Sequence, residues 1–450
     1  MRRIVLFSLT LFLICILTGT AIAEEGGHGE GFSPPVWMMI PFILMLGSIA
    51  IIPLKWEHWW ENNVNKLIVA LVLGLPIGIA YIFLDLLTLE HTMKEYAAFI
   101  IYVGSLFVIS GGIMMKGNIK CSVKVNLAFI GIGAGLASFI GTPGASMLLI
   151  RPLIRINSNR KNIKHVIIFF IFCVSNIGGC LTPLGDPPLF LGYLKGVPFT
   201  WTFSLWPQWL LANLILLFLF VLFDTRAFAL DKSKEEEPEE KQPLRLEGLI
   251  NFLWLAGVIF SVAFVPDFGK REAIMVAMVI LSLKTTPKGL RKENRFTFHP
   301  IFEVAYLFIG IFLTMIPALT YLGIHGSALA ERGLTEPWMF FWLTGILSSF
   351  LDNAPTYLTF FTVAQGLEYL DQTVAATKIG AEMLKAISLG AVFMGANTYI
   401  GNGPNFMVKA IADESGTKMP SFLGYMLWSG LILIPTFVVI TFIVFIWKIV

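Results

Sequence analysis

Apolar residues recur in runs of helix-spanning length from near the start of the chain to its end. A helix needs about 20 predominantly apolar residues to cross a bilayer, and twelve segments follow this pattern, the shortest being Ala273–Leu283. The other predicted spans are Val36–Leu54, Leu67–Leu87, Tyr96–Met115, Asn126–Ile154, Val166–Leu194, Leu205–Phe223, Leu249–Val265, Ile301–Leu322, Pro337–Ala364, Leu384–Ile411 and Phe422–Trp447. Since helices satisfy their own backbone hydrogen bonds in lipid, the pattern predicts an all-α polytopic membrane protein.

Two segments stand apart from this series. The N-terminus has two arginines, an apolar run from Ile4 to Leu17 and then Ala21-Ile22-Ala23. This pattern indicates a cleaved signal peptide over residues 1–23, with an uncleaved first helix as the alternative. Residues 225–247 carry an acidic run and predict a solvated cytoplasmic linker. The linker divides the chain into a first membrane repeat, 24–224, and a second, 248–450.

The positions of the basic residues predict the topology, because they favour the cytoplasmic side. Basic loops at 116–124 and 151–164 flank the span Asn126–Ile154 on both sides, which a single crossing cannot accommodate. We predict a re-entrant hairpin that enters from the cytoplasm and turns near residues 141–144. The basic loop 284–295 then places Pro337–Ala364 as a hairpin entering from outside and turning near residues 352–355. Each half has five crossings and one hairpin, and both mature termini lie outside the cytoplasm.

Two pairs of segments match between the halves. Leu136–Pro143 aligns with Leu347–Ala354, sharing Leu, Ser and Phe, and Gly179–Phe190 aligns with Gly395–Phe406, sharing Gly, Thr, Gly, Pro and Phe. The pairs occur in the same order, and the charges outside them independently predict opposite orientations. Inverted repeats with paired broken helices are typical of secondary transporters, whose substrate site lies where the breaks meet at mid-membrane.

Polar residues concentrate at these four breaks. Asp186 and Asp352 are ionisable groups at membrane depth, which are functional by default, although an aspartate can also serve as a helix cap. Neutral oxygens come from Asn176, Thr182, Thr142, Asn353, Thr356, Asn397, Thr398, Asn402 and Asn405. Each of these could instead bond one helix to another, but as a group they predict a lined site. Hard oxygen ligands suit Na⁺, and we predict Asp186, Asp352, Asn353 and Asn402 as its ligands.

Composition excludes several other classes of protein. The chain has 450 residues, of which 56% are apolar and 14% are charged, and its net charge of +3 is spread over loops. Nucleic-acid binding therefore has no support. The four cysteines do not form a disulfide framework, and we interpret them as free thiols. No HExxH, GxSxG or Walker motif supports an enzyme, and no cofactor is predicted beyond Na⁺ and H⁺ as transported or coupling ions.

The motifs Ser175–Gly179, Thr182–Asp186 and Leu351–Pro355 resemble those of the ion transporter superfamily. Within it, the sequence resembles NhaD-like sodium/proton antiporters, and it is also similar to bacterial proteins labelled citrate transporters. The resemblance implies the fold, ion-coupled transport and a homodimer formed through a scaffold domain. We predict that the protein lies in the bacterial inner membrane. Sodium/carboxylate members carry Ser-Asn-Thr at both hairpin tips. Here the tips read Gly141-Thr142-Pro143 and Asp352-Asn353-Ala354, which disfavours a carboxylate substrate.

Two functions follow from these residues. The first is Na⁺ or Li⁺ efflux in exchange for protons, in which cation and proton compete for Asp186, Asp352 or both. The second is sodium-coupled uptake of citrate or a dicarboxylate, because helix N-termini with Asn and Thr can bind carboxylates. The expected partners are the lipid bilayer and either a small inorganic cation or an organic anion.

Overall fold

A computed structural model describes residues 32–231, 242–325, 333–367 and 373–449. The predicted signal peptide, 1–23, lies outside the described residues, as does the middle of the predicted linker. Within the described residues, eight helices are long and apolar enough to cross a membrane. The predicted all-α polytopic membrane fold is therefore confirmed.

The helices of the first half overlap the predicted spans, with ends that differ by up to ten residues. A short 3₁₀ turn, Val36–Met39, leads into the first of them. They are α1 Ile40–Lys55, α2 Asn63–Leu84, α3 Leu86–Ser110, α4 Val123–Ile140, α5 Thr142–Ile156, α6 Lys164–Cys173, α7 Pro187–Leu194 and α8 Trp206–Asp231. The predicted span Asn126–Ile154 is thus two helices, α4 and α5, and Val166–Leu194 is also two, α6 and α7.

The second half repeats this order of whole and divided helices. They are α9 Ile250–Phe264, α10 Lys270–Thr285, α11 His299–His325, α12 Pro337–Phe350, α13 Asn353–Gln365, α14 Ala381–Met394, α15 Gly403–Glu414 and α16 Phe422–Ile440. A π-helical turn, Thr441–Ile446, extends the last of them. The helix over the short predicted span Ala273–Leu283 is longer than predicted, because α10 begins three residues earlier and ends two residues later.

The ends of the predicted linker differ from a solvated loop. Helix α8 continues to Asp231, and strand β2, Gln242–Glu247, pairs antiparallel with strand β1, Met114–Asn118. Strand β1 begins within the predicted span Tyr96–Met115, whose helix ends earlier at Ser110. The pairing gives each strand a hydrogen-bonding partner, and Lys116 on β1 forms ion pairs with Glu293 (2.6 Å) and Glu247 (3.0 Å). The carboxylates of Glu293 and Glu247 raise the pKa of the Lys116 ammonium.

The helices pack as two groups. Bundle A contains α1, α2, α3, α9, α10 and α11, and bundle B contains α4–α8 and α12–α16. Small residues allow the closest approach inside bundle A: a Cβ added to Gly310 of α11 would lie 2.7 Å from the Cβ of Ala70 on α2. Such small-residue contacts are the usual means of packing helices in lipid. Bundle B contains every element that carries a predicted site residue.

Candidate functional site

Helices α4 and α5 form hairpin 1, and α12 and α13 form hairpin 2. Hairpin 1 turns at Gly141, whose φ of +79° is rarely adopted by other residues, and Pro143 lies in the first turn of the following helix. Hairpin 2 turns at Leu351 and Asp352, and the Asp352 Oδ1 accepts a hydrogen bond from the backbone N–H of Ala354 (3.0 Å). Both turns lie where the sequence predicted them.

Helices α6 and α7 form broken helix 1, and α14 and α15 form broken helix 2. Irregular backbone separates the two parts of each, and it includes short 3₁₀ turns at Ile177–Leu181 and Gly395–Asn397. Proline stands in the first turn of the helix after each break, where its missing N–H leaves no donor unsatisfied. The same local chemistry therefore begins the second helix in both cases.

Glycine is required inside both breaks, because the backbone crosses itself there. A Cβ on Gly185 would lie 2.0 Å from the carbonyl oxygen of Gly179, and one on Gly401 would lie 2.6 Å from that of Gly395. These four glycines occupy aligned positions in the two matched segments. Two of the identities between the halves thus have a common steric reason.

One hydrogen bond joins each break to its hairpin, and the two bonds are made by aligned residues. The hydroxyl of Thr182 donates to the carbonyl of Ser138 in hairpin 1, and the hydroxyl of Thr398 donates to the carbonyl of Ser349 in hairpin 2. Thr182 aligns with Thr398, and Ser138 aligns with Ser349. The recurrence of the contact at aligned positions supports the predicted repeat.

Asp186 stands at the point where all four elements meet. It is completely buried and precedes α7. Its Oδ1 accepts hydrogen bonds from the Thr142 hydroxyl (2.7 Å) and the Asn402 side-chain amide (3.0 Å), and its Oδ2 accepts one from the Asn353 amide (2.5 Å). Thr142 and Asn353 come from the two hairpin tips, and Asn402 comes from broken helix 2. The Asp186 carboxylate is therefore hydrogen-bonded to side chains from both halves of the chain.

A chain of amides extends this cluster. Asn402 also donates to the Asn176 Oδ1 (3.2 Å), and the Asn176 amide donates to the Asn405 Oδ1 (2.7 Å). Asn405 in turn donates to the carbonyls of Gly395 and Thr398, each at 2.9 Å. Through these bonds, Asn176 and Asn405 bind the two breaks to each other beside Asp186.

The remaining predicted residues do not bond to Asp186. Asp352 caps α13, as described above, and the Thr356 hydroxyl donates to the Asp352 carbonyl (3.0 Å). The Asn397 amide donates to the Ser349 hydroxyl (2.9 Å), while its Oδ1 is buried without a hydrogen-bond partner. Asp352 remains a predicted ion ligand, and its cap is the alternative role that the sequence left open.

Sequence reasoning missed Tyr102 of α3, which joins bundle A to broken helix 1. Its hydroxyl donates to the carbonyl of Leu184 (2.7 Å), and its ring stacks on Phe190 at 3.8 Å between centroids. A tyrosine within an apolar span carries no sequence signal of such a contact. A second link between the bundles is the ion pair of Lys195, just after α7, with Glu95 of α3 (2.7 Å).

We expect Tyr102→Phe to slow transport without unfolding the protein. The variant keeps the ring stacked on Phe190 and loses only the hydroxyl donor, and a neutral hydrogen bond contributes about 1 kcal/mol. A change of that size corresponds to roughly fivefold in rate or affinity. Transport assayed in reconstituted vesicles tests this expectation, with a variant of Tyr96, which donates to the Ala305 carbonyl within bundle A, as the matched Tyr→Phe control.

Asp186 is the only charged member of the hydrogen-bonded group at the centre of the site, and the Asp352 carboxylate lies beside this group, next to Asn353. The hydrogen-bond partners of Asp186 are a hydroxyl and two amides, and none of the ion pairs found among the described residues includes it. Helices α5, α7, α13 and α15 all begin at or beside this point, and helix N-termini stabilise negative charge. The arrangement can hold an ionised carboxylate in a buried place and offer it to a proton or a cation. Within the described residues, no group of three His, Cys, Asp or Glu side chains could hold a metal ion.

A membrane-spanning helical protein with a buried carboxylate between broken helices falls in the class of membrane transporters. The profile of a family described as "Putative citrate transport" matches residues 31–445. The chain belongs to this family. It is therefore a multi-pass membrane protein and a secondary transporter rather than an enzyme. A search of curated proteins found no match.

Proposed function

We propose that this protein exchanges Na⁺ or Li⁺ for protons by competition at Asp186. The observation that carries the proposal is the completely buried carboxylate whose hydrogen-bond partners are all neutral. Such a group needs either a proton or a cation to offset its charge in a low-dielectric site. Each ion that binds displaces the other, so coupled exchange needs no separate proton site.

Rotation of two side-chain amides supplies further ligands for the cation. Asn353 and Asn402 now turn their N–H groups toward Asp186. A half-turn of each amide would present its oxygen instead, because an amide carries a donor and an acceptor on opposite sides. The Asn353 Oδ1 is buried without a hydrogen-bond partner, which supports this role. Thr142 adds a hydroxyl oxygen, and Asp352, next to Asn353, is proposed as the second carboxylate.

Alternating access would come from movement of bundle B against bundle A. The three side chains that bond to Asp186 all belong to bundle B, so Asp186 and these donors can move as a unit. Tyr102–Leu184 and Lys195–Glu95 cross between the bundles, and these contacts would break and reform in each cycle. The resemblance to NhaD-like antiporters supports this function, and a homodimer in a bacterial inner membrane with both termini outside remains part of the proposal.

Sodium-coupled uptake of citrate or a dicarboxylate is the second candidate. The description of the family favours it, and so do the four helix N-termini that converge at the site, since they could bind a substrate carboxylate. Asp186 already occupies that position, however, and would repel a second anion in a buried site unless Na⁺ lay between them. This repulsion is the reason for preferring exchange of cations.

Everted membrane vesicles from cells that lack their own sodium/proton antiporters distinguish the two functions. A respiration-driven pH gradient is monitored by the quenching of an acridine dye, and Na⁺, Li⁺, K⁺ or citrate is added in turn. Exchange predicts recovery of fluorescence on addition of Na⁺ or Li⁺. No response to these ions, together with sodium-dependent citrate accumulation in right-side-out vesicles, would reject exchange in favour of symport.

The competition also predicts the pH dependence of transport. Lowering the pH adds protons to the shared site, so the KM for Na⁺ should rise as pH falls, approaching about tenfold per pH unit, while the maximum rate at saturating Na⁺ stays nearly constant. Initial rates in proteoliposomes over a series of Na⁺ concentrations and pH values provide the measurement. A KM that is independent of pH would contradict a shared site.

A further inference from the structure

A buried polar cluster lies at the far end of hairpin 1 from Asp186. We name it the buried clamp and define it as Asn126, Asn157, Arg160, His165 and Asp224. Asn126 and Asp224 are completely buried, Asn157 is 1% exposed, and the side chains of Arg160 and His165 are 6% and 7% exposed. Neither proposed function uses these groups, and a buried carboxylate in a membrane protein calls for an explanation.

Asp224 of α8 is the centre of the clamp. Its Oδ1 accepts a hydrogen bond from Arg160 Nη1 at 2.8 Å and lies 2.9 Å from His165 Nε2, and its Oδ2 accepts one from the Asn126 amide at 3.1 Å. Asn126 and Asn157 also bond reciprocally through their amides, at 3.0 and 2.8 Å. The opposite charges of Asp224 and Arg160 offset each other, and Arg160 Nε also lies 3.5 Å from the Asp231 carboxylate, while Arg160 Nη2 is buried without a hydrogen-bond partner.

The clamp joins the bases of two separate elements. Asn126 lies in the first turn of α4 and Asn157 caps the end of α5, so together they close the open end of hairpin 1. His165 lies in the first turn of α6, at the start of broken helix 1. Asp224 therefore fixes the base of hairpin 1 and the base of broken helix 1 to the same helix, α8.

The same two elements meet again at the ion site. The tip of hairpin 1 carries Thr142 and the break in helix 1 leads to Asp186, and these two side chains are bonded at 2.7 Å. Helix α5 has 15 residues, which separates the clamp from the tip by about 22 Å at 1.5 Å per residue. Over that distance, a small change of angle at the base moves the tip by ångströms relative to Asp186.

We propose that the buried clamp is a positioning device that sets the affinity of the Asp186 site by holding hairpin 1 and broken helix 1 in register. Asp224 and Asn126 are then positioning residues, since they act on the ion through Thr142 and Asp186. The inference deepens the proposed function and rests on it for the identity of the ion, but the geometry of the clamp does not depend on which ion or anion is carried.

Two mild variants test the proposal, one on each element. Removing the Asp224 charge would leave Arg160 buried without its partner and could unfold the protein, so Asp224 is left intact. Asn126→Ala releases hairpin 1 and keeps the Arg160–Asp224 pair. His165→Phe releases broken helix 1 and keeps an aromatic ring against Phe220, on which His165 now stacks at 6.2 Å.

In proteoliposomes, each variant should raise the KM for Na⁺ by about three- to tenfold, the effect of roughly one hydrogen bond, with a maximum rate within about twofold of the wild type. Hydrogen–deuterium exchange of the full-length protein should increase in peptides covering residues 141–156 for Asn126→Ala. The matched control is Asn251→Ala in bundle A, a buried amide that donates to Gly112, Gly248 and Thr286, and it should leave KM unchanged.

An unchanged KM in both variants, or an equal rise in the Asn251→Ala control, would overturn the proposal. If the wild type accumulates citrate and exchanges no cations, the KM for citrate is compared instead. A rise then supports the clamp while the proposed cation exchange fails. Failure of the proposed cation exchange and failure of the clamp can therefore be distinguished. The transport activity of the wild type alone tests the exchange, and the ratio of the variant KM to the wild-type KM tests the clamp.

Discussion

Asp186→Asn is expected to abolish sodium-driven proton movement. The variant keeps the size of the side chain but removes the only charge at the centre of the site. A charge pair at about 4 Å is worth roughly 4 kcal/mol at an effective dielectric constant near 20, so the affinity for Na⁺ should fall by about a thousandfold. The asparagine amide also neither gains nor loses a proton near neutral pH, and the recovery of dye fluorescence on addition of Na⁺ should disappear.

Asp85→Asn is the matched control for this loss. Asp85 caps α3, where it accepts from the N–H and hydroxyl of Thr88 at 3.0 and 2.6 Å. Asparagine caps helices nearly as well as aspartate, so this variant should transport within about twofold of the wild type. Near-normal exchange by Asp186→Asn would show that Na⁺ and H⁺ do not compete at Asp186. The Asp352→Asn variant would then test whether they compete at Asp352.

Gly185→Ala is expected to be the most damaging single methyl addition in the site. The new Cβ would lie 2.0 Å from the Gly179 carbonyl oxygen and 2.6 Å from its carbonyl carbon. Both atoms belong to backbone, so they cannot rotate away as a side chain would, and the break in helix 1 must distort. We expect a destabilisation of about 3 kcal/mol and a loss of transport, because the backbone on either side leads to Thr182 and Asp186.

Thermal unfolding of the purified protein in detergent measures this effect. Gly430→Ala in α16 is the control, since a Cβ there has no neighbour within 4 Å and alanine favours a helix over glycine by about 1 kcal/mol. Its unfolding temperature should equal or exceed that of the wild type. If Gly185→Ala unfolded at the wild-type temperature, this result would contradict the close approach of Gly185 to the backbone of Gly179.

The fold could be predicted largely from the sequence because the pattern that indicates each helix lies within the helix itself or at its ends. Apolar runs give the spans, and Gly141, Asp352 and the prolines after each break give the turns. The missed features depend on contacts between distant parts of the chain. Strand β2 pairs with a segment more than 120 residues earlier, and nothing in the acidic linker indicates such a partner.

The residues of the site could be predicted in part, because local sequence patterns also indicate the breaks and the hairpin tips. The sequence named Asp186, Thr142, Asn353 and Asn402 as candidates, and the structure brings them together. The sequence could not choose among the polar residues at the breaks, because the choice depends on how four elements pack. Asp352 looked equivalent to Asp186 in the sequence, yet in the structure it caps α13.

The buried clamp could not be predicted from the sequence. Asp224 and His165 lay at the ends of predicted spans, where polar groups normally face water or headgroups. In the structure they are buried and bonded to each other. Only the packing of α6 against α8 makes a buried cluster out of residues that look solvated when each span is considered alone.

The division of the site between the two halves has a consequence for how the chain is made. Asp186 and Thr142 are synthesised first, while Asn353 and Asn402 follow at least 167 residues later. Until the second half arrives, the carboxylate lacks two of its three side-chain donors in a place where unpaired charge is costly. A chain terminated in the linker would therefore be a half-protein with an incompletely bonded carboxylate in the bilayer, which we expect membrane proteases to recognise and remove.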